Sequence, residues 1–368
     1  MIKILDFTKK NAVLLIAVTV AIATSFIVPP DGEYLKYFDL STIFCLLGTL
    51  AVVCALSDAH FFEIIARKIV SGLKDSRKIV FALVFITYFG SMIMANDMAL
   101  ITFLPLGYFA LTQSGKQKYM AYTFVMQNVA ANLGGMLTPF GNPQNLYLYS
   151  YFSIPTGEFF LIMLPPFITA LLLIAACCFF VKKENAEIID DSSYSISPLK
   201  LTVYLILFAC SVLSVMRVYP YYIGVSITLV GVAIMDIKAY KSVNYRLILT
   251  FCAFFVFSGN ASRIPLVHEI IGNLLEKNTL LFSILSCQII SNVPTATLLC
   301  RFTGNYKALL AGVNIGGLGT PVASLASLIT LGEYKRRGRG IKKYVGLFLA
   351  INFSFLLVLT VVETIFGV

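Results

Sequence analysis

The sequence predicts an all-α integral membrane protein built from two inverted repeats. Each repeat carries a re-entrant helical hairpin and a broken transmembrane helix, for about nine full spans plus two hairpins. Of the 368 residues, 58% are hydrophobic and only 12% are charged, where soluble proteins carry about 25% charged residues. The apolar residues also collect into windows of about 17–25 residues, the length that a helix needs to cross ~30 Å of hydrocarbon. Finally, residues 132–139 and 314–321 read almost alike.

The apolar windows divide the chain into five parts. Lys3, Lys9 and Lys10 precede a first apolar stretch that resembles a signal peptide, but the stretch continues to Val28, so we predict an uncleaved span. The parts are a first scaffold helix (1–38), repeat 1 (39–155, with hairpin tip 95–97 and broken helix 119–150), connecting scaffold helices (156–244), repeat 2 (245–331, with hairpin tip 291–293 and broken helix 305–331), and a basic cytoplasmic loop with the last helix (332–368). Unbroken spans are predicted at 11–29, 39–57, 158–181, 199–217, 220–236, 245–259 and 343–366, and interfacial segments at 60–74 and 262–277.

The basic residues set the orientation. With the N-terminus in the cytoplasm, all but six of the 28 lysines and arginines lie on the cytoplasmic side, as the positive-inside rule requires. This distribution explains the net charge of +10 without a nucleic acid partner, because no basic stripe with interleaved aromatic residues lies outside the membrane windows. The six on the other side are Lys36, Arg217, Arg263, Lys277, Arg301 and Lys307.

Two segments are too short or too abruptly turned to be ordinary spans. From Asn292 to the polar pair Gly304-Asn305 is about a dozen residues, or ~18 Å of helix, which cannot cross ~30 Å. We therefore predict a hairpin that turns at Ser291-Asn292 and leaves by the side it entered. A similar turn is predicted at Asn96-Asp97, because no interfacial loop surrounds either asparagine. The predicted arms are 78–95 and 98–113 in the first hairpin, and 278–291 and 294–303 in the second.

The repeated motif follows each hairpin. Residues 132–139 read NLGGMLTP and residues 314–321 read NIGGLGTP. In the predicted topology the first hairpin opens to the cytoplasm and the second to the outside, so the two halves are inverted, which is a signature of secondary transporters. The matching residues are Asn132, Gly134, Gly135, Thr138 and Pro139 in the first half, and Asn314, Gly316, Gly317, Thr320 and Pro321 in the second.

Irregular backbone at this depth is tolerated only where it lines a cavity enclosed by protein. Free amides and helix N-termini attract anions, and free carbonyls coordinate Na⁺ or accept protons. A single Gly-Gly…Thr-Pro stretch could simply kink a helix, but two copies in register favour a binding site. The predicted substrate ligands from this argument are Asn96, Asn292, Thr138, Thr320 and the flanking Pro139 and Pro321, and the predicted ion-coupling residues are Asn96, Asn292, Gly134, Gly135, Gly316 and Gly317.

Asp97 is the one acid that the predicted topology places deep in the membrane. An ionisable side chain there costs about 3 kcal/mol or more on insertion scales and marks a functional site. We therefore predict that Asp97 binds Na⁺ or H⁺ and couples its gradient to transport. The alternative is that its carboxylate caps the second arm of the hairpin.

At these residues the sequence resembles the ion-transporter superfamily of citrate-transporter-like permeases, divalent anion/sodium symporters, arsenite permeases and NhaD-type Na⁺/H⁺ antiporters. The resemblance extends from about residue 39 to the end. Its motifs are Ala95-Asn96-Asp97, Gly134-Gly135 through Pro139, Gly141-Asn142-Pro143-Gln144-Asn145, Ser291-Asn292-Val293-Pro294, and Gly316 through Pro321.

The resemblance implies that Ser291, Asn142 and Asn145 join the substrate site. It also implies Na⁺ near Asn96/Asp97 and near Ser291/Asn292, and a homodimer formed through the scaffold helices. In the dicarboxylate branch both hairpin tips read Ser-Asn-Thr, and this chain departs from that pattern at Ala95, Asp97 and Val293. The Asn-Asp pair looks more like the arsenite-permease and antiporter branches.

The predicted function is a secondary active transporter: a Na⁺- or H⁺-coupled permease for a small anion, either a carboxylate or an arsenite-like oxyanion, in a prokaryotic plasma or inner membrane. A Na⁺/H⁺ antiporter is the alternative. A channel is less consistent with one pair of inverted breaks. An enzyme is not predicted, because the only histidines, His60 and His268, lie in interfacial segments without a catalytic motif. No cofactor is predicted besides the coupling ion, and the surrounding partner is the lipid bilayer.

Overall fold

The computed structural model describes residues 12–188, 195–338 and 340–367, and folds them into sixteen α-helices with short 3-10 turns. The basic residues before the first helix, and Arg339, lie outside the described residues. The first eight helices are α1 (Ala12–Ile27), α2 (Leu40–Asp58), α3 (Phe61–Ser71), α4 (Ser76–Gly90), α5 (Asn96–Gln113), α6 (Met120–Gly134), α7 (Pro143–Tyr151) and α8 (Thr156–Cys178). The others are α9 (Pro198–Val215), α10 (Tyr221–Asp236), α11 (Tyr245–Ser262), α12 (Pro265–Ile290), α13 (Asn292–Leu299), α14 (Tyr306–Ile315), α15 (Leu325–Arg337) and α16 (Ile341–Phe366).

Six of these helices are long and apolar enough to cross a membrane: α2, α8, α9, α10, α11 and α16. Helix α1 is a shorter apolar helix. Two further crossings are made in two pieces each, α6 with α7 and α14 with α15, and they leave irregular backbone between the pieces. These elements together form the set of full spans that the sequence predicts.

The two halves run through the same order of elements. Repeat 1 consists of α2, the short helix α3, the hairpin α4–α5 and the broken helix α6–α7. Repeat 2 consists of α11, the first part of α12, the hairpin made by the rest of α12 with α13, and the broken helix α14–α15. A 3-10 turn precedes each repeat, Gly32–Tyr37 in one case and Ile237–Ser242 in the other. The helix before each repeat packs on the other repeat, α1 against α11 and α10 against α2.

Several boundaries differ from the sequence prediction. Helix α12 continues through both the interfacial segment and the hairpin arm, although the backbone at Asn278 is extended (φ −164°, ψ 95°) and marks the join between them. Helix α15 passes its predicted end at 331 and reaches Arg337, because Glu333 forms ion pairs with Arg336 and Arg337 in the last turns. Helix α8, which is predicted to belong to the scaffold, packs against α16 and against α6 of repeat 1. The division of the chain into scaffold and repeats stays a prediction.

The second hairpin is the shorter one. Helix α13 has eight residues, or ~12 Å of helix, so it turns back well within ~30 Å of hydrocarbon. Helix α5 has 18 residues with Pro105 inside it. It begins at Asn96, slightly earlier than predicted, and its N-cap residue is Ala95, which makes no side-chain capping bond. The alternative role of Asp97 as the N-cap is therefore wrong.

Candidate functional site

Hairpin 1 (α4–α5) docks onto the break between α6 and α7. The backbone amide of Asn96 donates to the carbonyl oxygen of Gly141 at 3.2 Å. The hydroxyl of Thr138 donates to the carbonyl oxygen of Met92 at 2.9 Å. The side-chain oxygen of Asn96 accepts from the amide of Asp97 at 2.9 Å, which satisfies one of the free amides in the first turn of α5.

Hairpin 2 (the second part of α12 with α13) docks onto the break between α14 and α15 through the corresponding bonds. The amide of Asn292 donates to the carbonyl oxygen of Ala323 at 2.9 Å. The Thr320 hydroxyl donates to the carbonyl oxygen of Gln288 at 3.2 Å, and Asn292 Oδ1 accepts from the amide of Val293 at 2.9 Å. Every donor and acceptor occupies the same place in its repeat as in hairpin 1, which is three-dimensional evidence for the internal repeat.

Ser291 enters this docking with an unusual backbone. Its φ is +74°, which is uncommon for a residue with a side chain and is maintained only where its surroundings require it. Its hydroxyl lies within hydrogen-bond distance of the carbonyl oxygen of Ala323 (3.2 Å) and of Asn292 Oδ1 (3.3 Å). Ser291 thus fixes the tip of hairpin 2 to the adjacent break.

The two tips lie close together at one polar network. The side-chain amide of Asn96 donates to Asn132 Oδ1 at 3.2 Å. Gly317 lies directly beside this contact, because a Cβ on Gly317 would be 3.1 Å from Asn292 Nδ2 and 3.6 Å from Asn132 Oδ1. Asn96, Asn132 and Asn292 are all buried. The structure therefore brings the two predicted tips together, as the inverted repeat requires.

The second half of the network joins the two broken helices. Asn142 Nδ2 donates to Asn314 Oδ1 at 3.2 Å, and Asn314 Nδ2 donates to Asn145 Oδ1 at 2.7 Å. Asn142 also donates to the carbonyl oxygen of Asn132 at 3.2 Å. Since Asn132 and Asn314 are the matching first residues of the repeated motif, each broken helix supplies the same asparagine to the junction.

The glycines of the repeated motif are required by close packing. A Cβ on Gly134 would lie 2.0 Å from the carbonyl oxygen of Tyr88 in hairpin 1, and one on Gly316 would lie 2.9 Å from the side chain of Cys287 in hairpin 2. A Cβ on Gly135 would be 2.4 Å from Asn142 Oδ1. Gly134 and Gly316 thus let each hairpin approach its break, and their role in ion coupling stays a prediction. Pro139 and Pro321 lie inside the breaks, where no helical amide is needed.

Three side-chain groups at the junction carry free acceptor oxygens. Asn142 Oδ1 and Gln144 Oε1 are buried without a hydrogen-bond partner in the described part of the chain. Asp97 is 8% exposed and stands in the first turn of α5. Within the described ranges its carboxylate makes neither a hydrogen bond nor an ion pair. Buried acceptors without donors are rare. Asp97 and Asn142 are next in sequence to Asn96 and Gly141, which bond to each other, whereas Gln144 lies at its bond to Asn314.

Two residues of the site were missed from the sequence. Gln288 holds the second break, and Gln144 Nε2 lies 3.4 Å from Asn314 Oδ1. Gln288 could have been noticed as a lone amide side chain in an apolar hairpin arm, three residues before the tip. A further buried pair, Asn128 and Asn352, joins α6 to α16 at 3.2 Å, and no local pattern in the sequence pairs them.

Two inverted helical repeats that meet at a buried polar junction define a membrane transporter, and comparisons with known proteins agree with that class. The chain belongs to the citrate transporter family, whose model, described as "Citrate transporter", matches residues 4–305. It is 32% identical to the uncharacterized transporter MJ0456 of Methanocaldococcus jannaschii over 81% of this chain and 82% of the relative.

Two further similarities cover most of the chain. It is 26% identical to the inner membrane protein YbiR of Escherichia coli, over 85% of each protein. Its fold is similar to that of the Alcanivorax borkumensis YdaH transporter, which has a topology described as unusual, with a TM-score of 0.58, 13% identity and 97% of each chain covered. The family and these relatives are membrane proteins and transporters, so a multi-pass membrane transporter is the class to which the site belongs.

Proposed function

We propose that the protein is a Na⁺- or H⁺-coupled permease for a small anion, a carboxylate or an arsenite-like oxyanion, working by alternating access. The observation that carries the proposal is the hydrogen-bond network that joins the tip of hairpin 1 to both broken helices, with the tip of hairpin 2 lying beside it. In secondary transporters, half-helix N-termini face anionic substrates while unwound carbonyls and helix C-termini hold the coupling ion.

The anion would be bound by amides and helix ends. Helices α5 and α13 begin at Asn96 and Asn292, and their N-termini carry the positive end of the helix dipole. The side-chain amides of Asn96 and Asn292 supply further donors, and Thr138 and Thr320 supply hydroxyl groups. The tips 95–97 and 291–293 contain no lysine or arginine, which suits an anion of low charge.

The coupling ion would be held near hairpin 1. Asp97 supplies a carboxylate, and Asn142 Oδ1 and Gln144 Oε1 are buried acceptors without donors. Hard cations such as Na⁺ prefer such oxygen ligands. Within the described residues no group of three or more His, Cys, Asp or Glu side chains could hold a metal ion, so a Na⁺ site would be made mostly of amide and backbone oxygens. A second Na⁺ near Ser291 and Asn292 is also part of the proposal.

A Na⁺/H⁺ antiporter is the second candidate. An isolated buried carboxylate such as Asp97 can hold either Na⁺ or H⁺, and competition of the two ions for one acid is sufficient for exchange. The two candidates differ in whether the asparagine amides bind an anion.

The experiment is uptake into proteoliposomes, with citrate, succinate and arsenite tested under Na⁺ and H⁺ gradients, and with Na⁺/H⁺ exchange measured in parallel. Asn96→Ala and Asn292→Ala should each lower anion uptake at least tenfold, while Asn273→Ala, at an exposed position of α12, should leave it unchanged. Na⁺/H⁺ exchange without uptake of any anion would favour the second candidate. A flux that rises with concentration without saturating, for all the anions tested, would contradict a carrier of either kind.

The cellular setting is also a proposal. The distribution of basic residues supports a cytoplasmic N-terminus in the cell membrane, as in the plasma or inner membrane of a prokaryote. Helices α9 and α10 present exposed apolar side chains, among them Leu213 and Ile227, which support lipid contact and a homodimer through these helices. Cross-linking of cysteine pairs on α9 and α10 in native membranes, with substituted-cysteine labelling of each loop, tests both statements.

A further inference from the structure

We propose that Gln288 is a positioning residue that makes the second helix break depend on hairpin 2, whereas the first break is held within its own broken helix. The two inverted halves are then unequal, and movement of hairpin 2 alone takes one of the two binding surfaces apart. The importance of this inequality for transport rests on the proposed function, whereas the hydrogen bonds that define it do not.

The side chain of Gln288 replaces the missing helix bonds of the second break. Its Nε2 donates to the carbonyl oxygens of Gly316 and Leu318, both at 2.9 Å. Its Oε1 accepts from the amide of Thr320 at 2.9 Å. Gly319 has a φ of +103°, and a Cβ there would be 2.2 Å from Gln288 Oε1. Only glycine at 319 therefore lets this side chain reach the break.

The first break is held differently. Asn145 Nδ2 lies within 3.1–3.3 Å of the carbonyl oxygens of Gly135, Met136 and Thr138. Asn145 belongs to α7, the second piece of the same broken helix. The residue of hairpin 1 that matches Gln288 is Met92, whose side chain cannot donate a hydrogen bond. Hairpin 1 can therefore move without removing the donor that holds the first break.

Hairpin 2 is also fastened at its outer end to α11 and to the turn before α2. Arg301, just beyond α13, donates to the carbonyl oxygen of Tyr37 at 3.0 Å and to the Ser258 hydroxyl at 3.3 Å. Helix α13 itself packs against α11. Hairpin 2 packs against α14 as well as against α11. A displacement of α14–α15 in which hairpin 2 stays with α11 would therefore separate Gln288 from Gly316 and Leu318.

The surroundings of the two breaks agree with this inequality. Val322 in the second break is 48% exposed, and Thr320 and Pro321 are partly exposed. The residue that matches Val322 in the first break is Phe140, whose ring contacts that of Phe208 in α9 at 6.2 Å. The second break is therefore more exposed than the first.

The amide of Gln288 also competes with a cation. The carbonyl oxygens of Gly316 and Leu318 are the acceptors with which the second break would hold Na⁺, and a partly positive NH₂ group already occupies them. While hairpin 2 is docked, these two carbonyl oxygens are therefore taken by Gln288, and the second Na⁺ proposed near Ser291 and Asn292 gains them as ligands only after Gln288 leaves.

The test is amide hydrogen exchange on the purified full chain in lipid nanodiscs. Gln288→Met, which installs the residue of repeat 1, should raise exchange at least fivefold in peptides covering 314–324 and leave those covering 132–142 unchanged. Asn145→Leu should raise exchange most in peptides covering 132–142, with a smaller rise at 314–324 because Asn145 Oδ1 also accepts from Asn314 Nδ2. The matched control Met92→Leu should change neither. Gln288→Glu keeps the acceptor for Thr320 but removes both donors, so it should loosen the second break as Gln288→Met does.

Unchanged exchange at 314–324 in Gln288→Met, or an equal rise at both breaks, would overturn the proposal. A rise in exchange across the whole chain of Gln288→Met would signal misfolding. In that case exchange of the same two peptides in Gln288→Glu decides whether the second break depends on Gln288. In transport, Gln288→Met should raise the anion KM at least threefold with a smaller change in kcat. If the exchange pattern appears but no anion is transported by the unmodified protein, the proposed function fails and the asymmetry stands.

Discussion

Asn314→Leu is the substitution that tests the central junction most directly. Asn314 Oδ1 accepts from Asn142 at 3.2 Å, and its Nδ2 donates to Asn145 Oδ1 at 2.7 Å and to the carbonyl oxygen of Leu310 at 2.8 Å. Leucine has the same branched heavy-atom skeleton as asparagine but can replace none of these bonds. The partners are buried, so water does not replace the lost bonds.

The expected magnitude follows from the partners left behind. Asn145 Oδ1 and Gln144 Nε2 each lose their bond to Asn314, and a buried polar group without a partner costs about 1–3 kcal/mol. Hydrogen bonds between membrane helices are weaker on average, about 0.6 kcal/mol each. We therefore expect Asn314→Leu to lower the free energy of unfolding by about 2–4 kcal/mol.

The assay is reversible unfolding in mixed micelles, with the free energy of unfolding extrapolated linearly in denaturant. Asn273→Leu, at an exposed position of α12, is the control and should change the free energy by less than about 0.5 kcal/mol. A double-mutant cycle of Asn314→Leu with Asn145→Leu should show coupling of about 1 kcal/mol. A loss for Asn314→Leu no larger than that of the control would refute the reasoning that the two halves are joined through this side chain.

Further outcomes are expected at four other residues. Asp97→Asn should abolish the Na⁺ and pH dependence of uptake in proteoliposomes, and an unchanged dependence would remove Asp97 from ion coupling. Gly134→Ala should reduce folded yield and thermal stability sharply, because the new methyl would meet the carbonyl oxygen of Tyr88 at 2.0 Å, whereas Gly346→Ala, where no atom lies within 4 Å, should be tolerated. Hydrogen bonds from Lys118 and Lys116 lower the pKa of Glu184 to about 2. Because this pKa is depressed from 4.5, the contribution of Glu184 is present above that ordinary value and is lost only as the pH falls towards 2. Glu184→Gln should therefore loosen the end of hairpin 1 that lies near Ser76 and Lys116 equally at pH 6 and pH 8. Limited proteolysis at the two pH values measures this, and a difference between them would contradict it.

The repeated motif made the main features of the site predictable. Matching asparagine, glycine and threonine residues at a fixed distance after two Asn-centred turns are sufficient to predict two tips and two breaks that converge. The shortness of α13 was also predictable, because the interval between Asn292 and Gly304 sets the length of the arm directly. These features depend on local spacing, which the sequence contains.

Features that depend on packing between distant segments were not predictable. Gln288 looks like an isolated amide in an apolar arm until the break at 316–320 is placed beside it. Asn128 and Asn352 are far apart in sequence, and only the packing of α6 against α16 pairs them. The end of α15 moved to Arg337 because Glu333 attracts two arginines there, an effect too small for a hydropathy window to register. Local periodicity does not contain these long-range pairings.

The reciprocal packing of α1 on α11 and of α10 on α2 bears on how such a molecule could be synthesised and how it could have arisen. During synthesis, α1 and α2 lack their packing partners until α10 and α11 have been inserted. The early helices therefore remain exposed to lipid until the later ones arrive. By the same geometry, an ancestral polypeptide with only one such half would have needed a second copy, inserted in the opposite orientation, to pack against its first helix. Duplication and fusion of the gene would then have made that antiparallel pairing permanent.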